Sequence, residues 1–374
     1  AALAVAGQQH GLVLLGSDGE PVRPAKLWND TTSAPQAARL VAELGAAAWA
    51  TRTGSVPLAA FTITKLAWVA EHEPDVLRRA TRVMLPHDYL TWRLTGNHVT
   101  DRGDASGTGW YDPVADEYLP DLLARAAPGC AAALPAVLGP TDPAGRLSAA
   151  AAQALGLPAG IPVGPGTGDN MAAALGLGMR PGDLAVSLGT SGVVSAVSAT
   201  PTHDADGFVA GFADAAGAYL PLVCTLNATK VTDTVARWLG TDAAGLSELA
   251  LAAPADTSGD PVLVPYFDGE RTPNLPDATG AWTGLTNATT REQLARAAHD
   301  GVLRGLLAGR DHLLACGATS GGRLFLVGGG ARSAAYRARL AALTGQVVEV
   351  PDADEAVATG AAVQAAQLIA APWP

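Results

Sequence analysis

Short apolar runs of strand character alternate along this chain with alanine-rich helical stretches. No other feature constrains the fold as much, because this is the pattern of an α/β protein whose sheets are covered by helices. Residues 3–6 and 12–15 predict two short strands joined by Gly7-Gln8-Gln9-His10-Gly11, which places His10 at a strand end. Helices are expected around residues 35–44, 64–72 and 86–94. Residues 101–112 are polar and glycine-rich enough to predict an exposed loop. Residues 161–170 read as a strand, a glycine-rich turn and the start of a helix running from about 171 to 177, so Asp169 and Asn170 stand beside a helix N-terminus. Residues 176–183 have linker composition and put a domain boundary near residue 180. Beyond it, residues 184–188 and 193–197 flank Gly189-Thr190-Ser191-Gly192 as a hairpin. Residues 324–350 then read as strand, Gly328-Gly329-Gly330, helix and strand.

A chain of 374 residues suits two domains. Its 24 Lys+Arg against 35 Asp+Glu give a net charge of −11, which repels nucleic acid and anionic membranes over most of the surface, so phosphate ligands need local help. The three cysteines, Cys130, Cys224 and Cys316, form neither a CxxC nor a Cys/His cluster, so neither a disulfide framework nor a structural zinc site is indicated and a reducing cytosol is the expected compartment. Apolar runs end well short of the ~20 residues a membrane span requires. The opening Ala1-Ala2-Leu3-Ala4-Val5-Ala6-Gly7 has no basic segment and reads as the middle of a buried strand, not as a signal peptide.

Of the three lysines, Lys26, Lys65 and Lys230, none follows a glycine, which excludes a P-loop NTPase. Two glycine-rich turns offer bare backbone amides instead. Gly189-Thr190-Ser191-Gly192 reads either as an ordinary hairpin turn or as an anion-binding nest with two hydroxyls added, and Gly328-Gly329-Gly330 can approach a ribose or base. Asp169 reads both as a helix cap and as a carboxylate able to take a proton from a bound hydroxyl, roles that can coexist. Gln9 and His10 form a hydrogen-bonding pair on a loop where small polar ligands are often read, although His10 alone also suits a structural role. Trp28-Asn29-Asp30 suits a sugar pocket as well as it suits packing and capping.

Taken in order, these pieces resemble the FGGY-type carbohydrate kinases, which phosphorylate sugars with ATP on an actin-like fold, and most nearly their xylulokinase branch. The resemblance runs over nearly the whole chain. It passes through Ala6-Gly7-Gln8-Gln9-His10-Gly11, Leu27-Trp28-Asn29-Asp30, Pro86-His87-Asp88-Tyr89-Leu90, Gly168-Asp169-Asn170, Ser187-Leu188-Gly189-Thr190-Ser191-Gly192, Gly269-Glu270-Arg271-Thr272-Pro273 and Gly328-Gly329-Gly330-Ala331-Arg332-Ser333. It implies two actin-like (ribonuclease H-like) α/β domains with a cleft between them: 1–179, sugar-binding, and 180–374, ATP-binding. It further implies Asp169 as the base that deprotonates the sugar hydroxyl, and Gln9 and His10 with Trp28 and Asn170 as substrate contacts. Gly189, Thr190 and Ser191 would hold the ATP phosphates, Gly328, Gly329, Gly330 and Ser333 would lie at the adenosine, and Mg²⁺ would bridge phosphate oxygens. Gly-Asp-Asn with the Gln-x-His-Gly-type loop makes D-xylulose, converted to D-xylulose 5-phosphate, the leading substrate. A homodimer is an arrangement the sequence leaves open.

Members of that family begin with a strand-turn-strand carrying Asp-x-Gly-Thr-Ser and continue past the point corresponding to Pro374. The resemblance therefore implies an amino-terminally incomplete first domain and a shortened C-terminus. His87 stands where relatives often carry lysine. Two rival readings have distinct signatures. Gly328-x-Gly330-x-x-Ser333, followed by Glu349, suits a dinucleotide-dependent oxidoreductase but leaves Asp169 and the 189–192 turn unexplained. A non-catalytic sugar- or nucleotide-binding remnant would follow from loss of the amino-terminal phosphate segment.

Overall fold

The computed structural model describes residues 1–351 and 355–370, which fall into two compact units that are not continuous in sequence. Of the described residues, the first comprises 1–179, 200–220 and 355–370, and the second 180–199 and 221–351. The first change of unit falls between Met179 and Arg180, and two later pieces return to the first unit. Their reasons are local. Gly211 N–H donates to Gly54 O at 3.0 Å and Ala213 N–H to Ser106 Oγ at 3.0 Å. Gln364 makes a buried two-way bond with Gly166, its Oε1 accepting Gly166 N–H at 3.0 Å and its Nε2 donating to Gly166 O at 3.1 Å.

In the first unit Ala6–Gly7 runs parallel to Thr167–Gly168, with Gly7 opposite Gly168, and Leu3 adds a bridge to Val163. Val13–Leu15 pairs antiparallel with Arg82–Met84, and Val99–Asp101 runs parallel to Ala136–Leu138. Helices form where expected: Ala34–Leu44 and Pro86–Thr95 each carry proline in the first turn, where the missing N–H costs nothing, and Thr62–His72 is buried over most of its faces. The helix Asp169–Gly176 starts two residues earlier than expected, with Gly168 as its N-cap. It lies backbone to backbone on Ala356–Ala370. A Cβ on Gly360 would come within 1.8 Å of Ala172 O, and one on Gly176 within 2.0 Å of Ala356 O.

One expectation is overturned. Residues 101–112 are not an exposed loop but an almost wholly buried segment containing the one-turn helix Arg102–Ala105. The polarity is internal: Asp101 caps that turn through Gly103 and Asp104 N–H, and Ser106 and Thr108 bond to nearby carbonyls, while the buried Asp104 carboxyl has no hydrogen-bond partner among the described residues.

The second unit is built on a mixed sheet. Leu184–Leu188 and Gly192–Ala196 form the expected hairpin, the latter also pairing antiparallel with residues 222–225. On its other side Leu184–Leu188 runs parallel to Leu324–Val327, which in turn runs parallel to Val348–Glu349. The near-continuous apolar strands are those of a sheet covered by helices. The 25-residue helix Arg291–Ala315, opened by a Thr290/Gln293 capping box, packs on it so closely that a Cβ on Gly309 would meet Val223 at 3.0 Å.

Candidate active site

In the first unit, parallel pairing of Gly7 with Gly168 brings the residues that follow each strand together. Gln9 leaves one strand and Asp169-Asn170 opens the helix after the other. Gly168 permits the approach, since a Cβ there would sit 2.7 Å from Gln9 Cγ. Asn170 Nδ2 donates to Gln9 Oε1 at 2.9 Å and to Asp169 Oδ1 at 3.1 Å, and Asn170 N–H donates to the same Oδ1 at 2.8 Å. The Gln9 amide is thereby oriented, and its buried Nε2 has no hydrogen-bond partner among the described residues. A buried donor left unmade costs about 1–3 kcal/mol, and a ligand hydroxyl would supply the missing acceptor. Burial raises the Asp169 pKa above the usual carboxylate value against the lowering effect of the Asn170 and Asp169 backbone N–H groups and the Asn170 side chain.

His10 adopts φ +65, a left-handed conformation uncommon outside glycine. Its Nδ1 donates to Gly107 O at 2.9 Å, and its ring stacks on Phe61 at 4.7 Å and lies 5.3 Å from Phe212. Gly107 has to be glycine, because a Cβ would come 2.7 Å from the imidazole. Trp28, half exposed on a turn, joins none of these hydrogen bonds. Its segment is nevertheless tied beside them. Lys26 and Leu12 exchange backbone bonds of 2.8 and 3.1 Å, and buried Lys65 donates to Asp30 O at 3.0 Å.

The second unit gathers both glycine-rich turns. Gly189 O accepts Thr229 N–H at 3.0 Å and Thr229 Oγ1 at 2.9 Å, seating the hairpin turn on the start of the helix Thr229–Trp238, with Thr190 and Ser191 exposed. A Cβ on Gly328, at φ +84, would lie 2.7 Å from Leu188 O. One on Gly330 would lie 2.7 Å from Leu188 Cβ, whereas Gly329 faces open space. The two turns therefore meet over Leu188 and Thr229. Ser333 is engaged elsewhere: it caps the helix Ala334–Thr344 through Tyr336 N–H, and its hydroxyl bonds Ser247 at 3.1 Å.

The FGGY family of carbohydrate kinases matches this chain with both of its domains, the N-terminal one over residues 1–176 and the C-terminal one over 184–368. The chain belongs to the FGGY family of carbohydrate kinases. It is a sugar kinase with the family's α/β, actin-like fold. The xylulose kinase of Streptomyces coelicolor is 52% identical over 372 residues, covering 99% of this chain and 74% of the relative, and that of Streptomyces rubiginosus is 50% identical with the same coverage. The crystal structure of xylulose kinase from Bifidobacterium adolescentis superposes with a TM-score of 0.90 at 44% identity, over 99% of this chain and 81% of the other.

In this kinase, sequence reasoning missed the layer under Asp169 and His10. Phe61 and Phe212 clamp the imidazole from distant parts of the chain. Thr167 Oγ1 donates to Asp101 Oδ2 at 2.6 Å, two residues before Asp169. The only signals were the alternation of acid and glycine over residues 101–107 and the His87-Asp88 pair. Among the described residues no group of three or more His, Cys, Asp or Glu is arranged to hold a metal ion, and no helix is long and apolar enough to cross a membrane.

Proposed function

We propose that this kinase transfers the γ-phosphoryl group of ATP to D-xylulose, giving D-xylulose 5-phosphate, with Asp169 as general base. The observation that carries the reading is the pairing of a partly buried carboxylate with an oriented amide that has one donor unsatisfied. Asp169 and Gln9 are joined through Asn170 in a chain half identical to proteins named xylulose kinase. Gln9 Nε2 donates to a sugar hydroxyl, and His10, fixed by Gly107 and its aromatic clamp, lines the same pocket. The Trp28 turn is an added wall. Because Asp169 Oδ1 already receives both Asn170 donors, Oδ2 is the oxygen that takes the proton as the hydroxyl attacks phosphorus. Burial makes the carboxylate a stronger base than a solvated one.

The exposed amides and hydroxyls of Thr190 and Ser191 hold the phosphates, on a turn that Gly189 closes by donating its N–H to Ser191 O at 3.0 Å, and the turn Gly328-Gly329-Gly330, packed on Leu188 and open at Gly329, lies along the adenosine. Ser333 supports that turn as a helix cap. Mg²⁺ carried in with the nucleotide would supply charge neutralisation at the phosphates that Thr190 and Ser191 hold. Alignment and charge stabilisation account for most of the catalysis of such transfers, so the residues that fix Asp169 matter as much as the base itself.

The test is ATP consumption coupled to sugar phosphorylation across D-xylulose, L-xylulose, D-ribulose, glycerol and gluconate, run on the 374-residue chain and on the complete product of its reading frame. D-xylulose is expected to give the highest kcat/KM. A higher value for another acceptor replaces the substrate assignment, and turnover of none of them by either protein removes the reading.

A further inference from the structure

Under the site lies a charge cluster that this chemistry does not use. His87, second residue of the helix Pro86–Thr95, is fully buried. Its Nε2 lies 3.2 Å from Asp88 Oδ1, 3.3 Å from Asp101 Oδ1 and 3.2 Å from Asp104 Oδ2. All three carboxylates are buried as well. Neither His87 ring nitrogen makes a hydrogen bond with a described residue, nor do Asp88 Oδ1 and the two Asp104 oxygens, so what the ring offers the three acids is charge at close range and not a directed bond. Burial pulls the imidazole pKa down, and Asp88, Asp101 and Asp104 together outweigh it, holding the group well above its ordinary value of 6.5. Burial pushes Asp88 up to about 6 and Asp104 up to about 7, with His87 opposing in both cases. Among the described residues these three acids are the titratable groups that face the ring: Asp88 from its own helix, Asp101 from the strand Val99–Asp101 and Asp104 from the turn Arg102–Ala105.

The cluster touches the supports of Gln9, His10 and Asp169. A Cβ on Gly7 would meet His87 Cβ at 3.0 Å, and one on Gly166 would meet its Nδ1 at 2.7 Å, so the ring is wedged against both strands that lead to Gln9 and Asp169. Asp101 bonds Thr167 Oγ1 at 2.6 Å, and the turn that Asp101 caps runs on to Gly107, whose carbonyl holds His10.

We propose that His87 is a positioning residue for phosphoryl transfer: its positive charge gathers Asp88, Asp101 and Asp104 beneath the two strands and so sets Asp169 against the Gln9–His10 pair. The proposal rests on Asp169 being the base. Misplacing reacting groups by about 1 Å costs about 100-fold, so a neutral residue at 87 acts chiefly on kcat.

The experiment compares His87→Gln, which removes the charge, with His87→Lys, which keeps a charge without the ring, alongside Asp169→Asn and with a melting curve for each. H87Q is expected to lose about 10- to 100-fold in kcat while the sugar KM changes less, and H87K to recover most of that loss. The alkaline limb of kcat/KM, where the cluster gives up its proton, is expected to move upward by at least about one pH unit in H87K, because an amine holds its proton more tightly than an imidazole. If H87Q does not fold, the wild-type and H87K profiles decide. Spectra of the unsubstituted protein with ¹³C-labelled histidine decide without any variant, with His87 expected to be cationic at about pH 8. Wild-type kcat in folded H87Q, an unmoved limb in H87K, or a neutral His87 at about pH 7 each overturns the proposal. Near-normal turnover in D169N instead overturns the assignment of the base.

Discussion

Replacing Gly360 with alanine sets two effects of opposite sign against each other. In an exposed helix interior, Gly→Ala stabilises by about 1 kcal/mol through lost unfolded-state freedom. At Gly360 the new methyl would lie 1.8 Å from Ala172 O, with Ala172 C at 2.6 Å and Cα at 2.9 Å, all backbone that cannot rotate away. The helix Ala356–Ala370 and the helix Asp169–Gly176 therefore have to separate by more than an ångström, which opens the interface along its length. Overpacking of this kind costs about 1–3 kcal/mol, and the lost contact adds to it, so the clash outweighs the propensity gain. Gly305, inside the helix Arg291–Ala315 with nothing within 4 Å of its virtual Cβ, is the matched control. In a thermal melt followed by circular dichroism, G360A is expected to lower Tm by about 2–8 °C and G305A to raise it by about 2–4 °C, at 2–4 °C per kcal/mol for units of this size. G360A should also lose kcat, because Asp169 rides on the displaced helix. A Tm for G360A at or above that of the wild type would refute the close-approach argument.

Asp169→Asn should reduce turnover by about 10²- to 10⁴-fold while sugar affinity, measured by calorimetry, stays within a few-fold. Gln9→Leu removes the oriented donor and should raise the sugar KM by about tenfold or more, with little change for ATP. Thr190→Val should raise the ATP KM more than the sugar KM, and the reverse pattern would move the phosphate site elsewhere. For Asp104, whose folded-state pKa of about 7 stands above the usual 3.8, the folded protein holds the proton more tightly than the unfolded chain does. Its contribution to stability is thus complete below the unfolded value and is lost as the pH rises through the folded one. Asp104→Asn keeps the neutral form at every pH, so its gain in Tm over wild type should be larger at about pH 8 than at about pH 5, and an equal shift at both would contradict the burial argument.

Much of the fold was legible in local pattern. The hairpin over residues 184–196 follows from two apolar runs around a glycine and hydroxyl turn, and the helices at 34–44 and 86–95 from proline at their first turns. Local chemistry also exposed the candidate site in part, because Asp169-Asn170 at a helix start and Gln9-His10 at a strand end each stand out alone. The buried segment 101–112 misled because polarity and glycine signal a solvated loop unless the partners of those polar groups are known. Those partners, His87 and Thr167, are 14 and 66 residues from Asp101.

By itself, then, the sequence determined which segments become strands, helices and turns, and which polar side chains stand at their ends, since those depend on neighbours a few residues apart. Only the tertiary structure decided that Gly7 pairs with Gly168, so that Asn170 can join Gln9 to Asp169. The same holds for the clamping of His10 by Phe212 from a segment that returns to the first unit, and for the seating of the helix that carries Asp169 on Gly360. Those arrangements depend on close backbone approach and on charges brought together across many tens of residues, and neither leaves a periodicity in the chain.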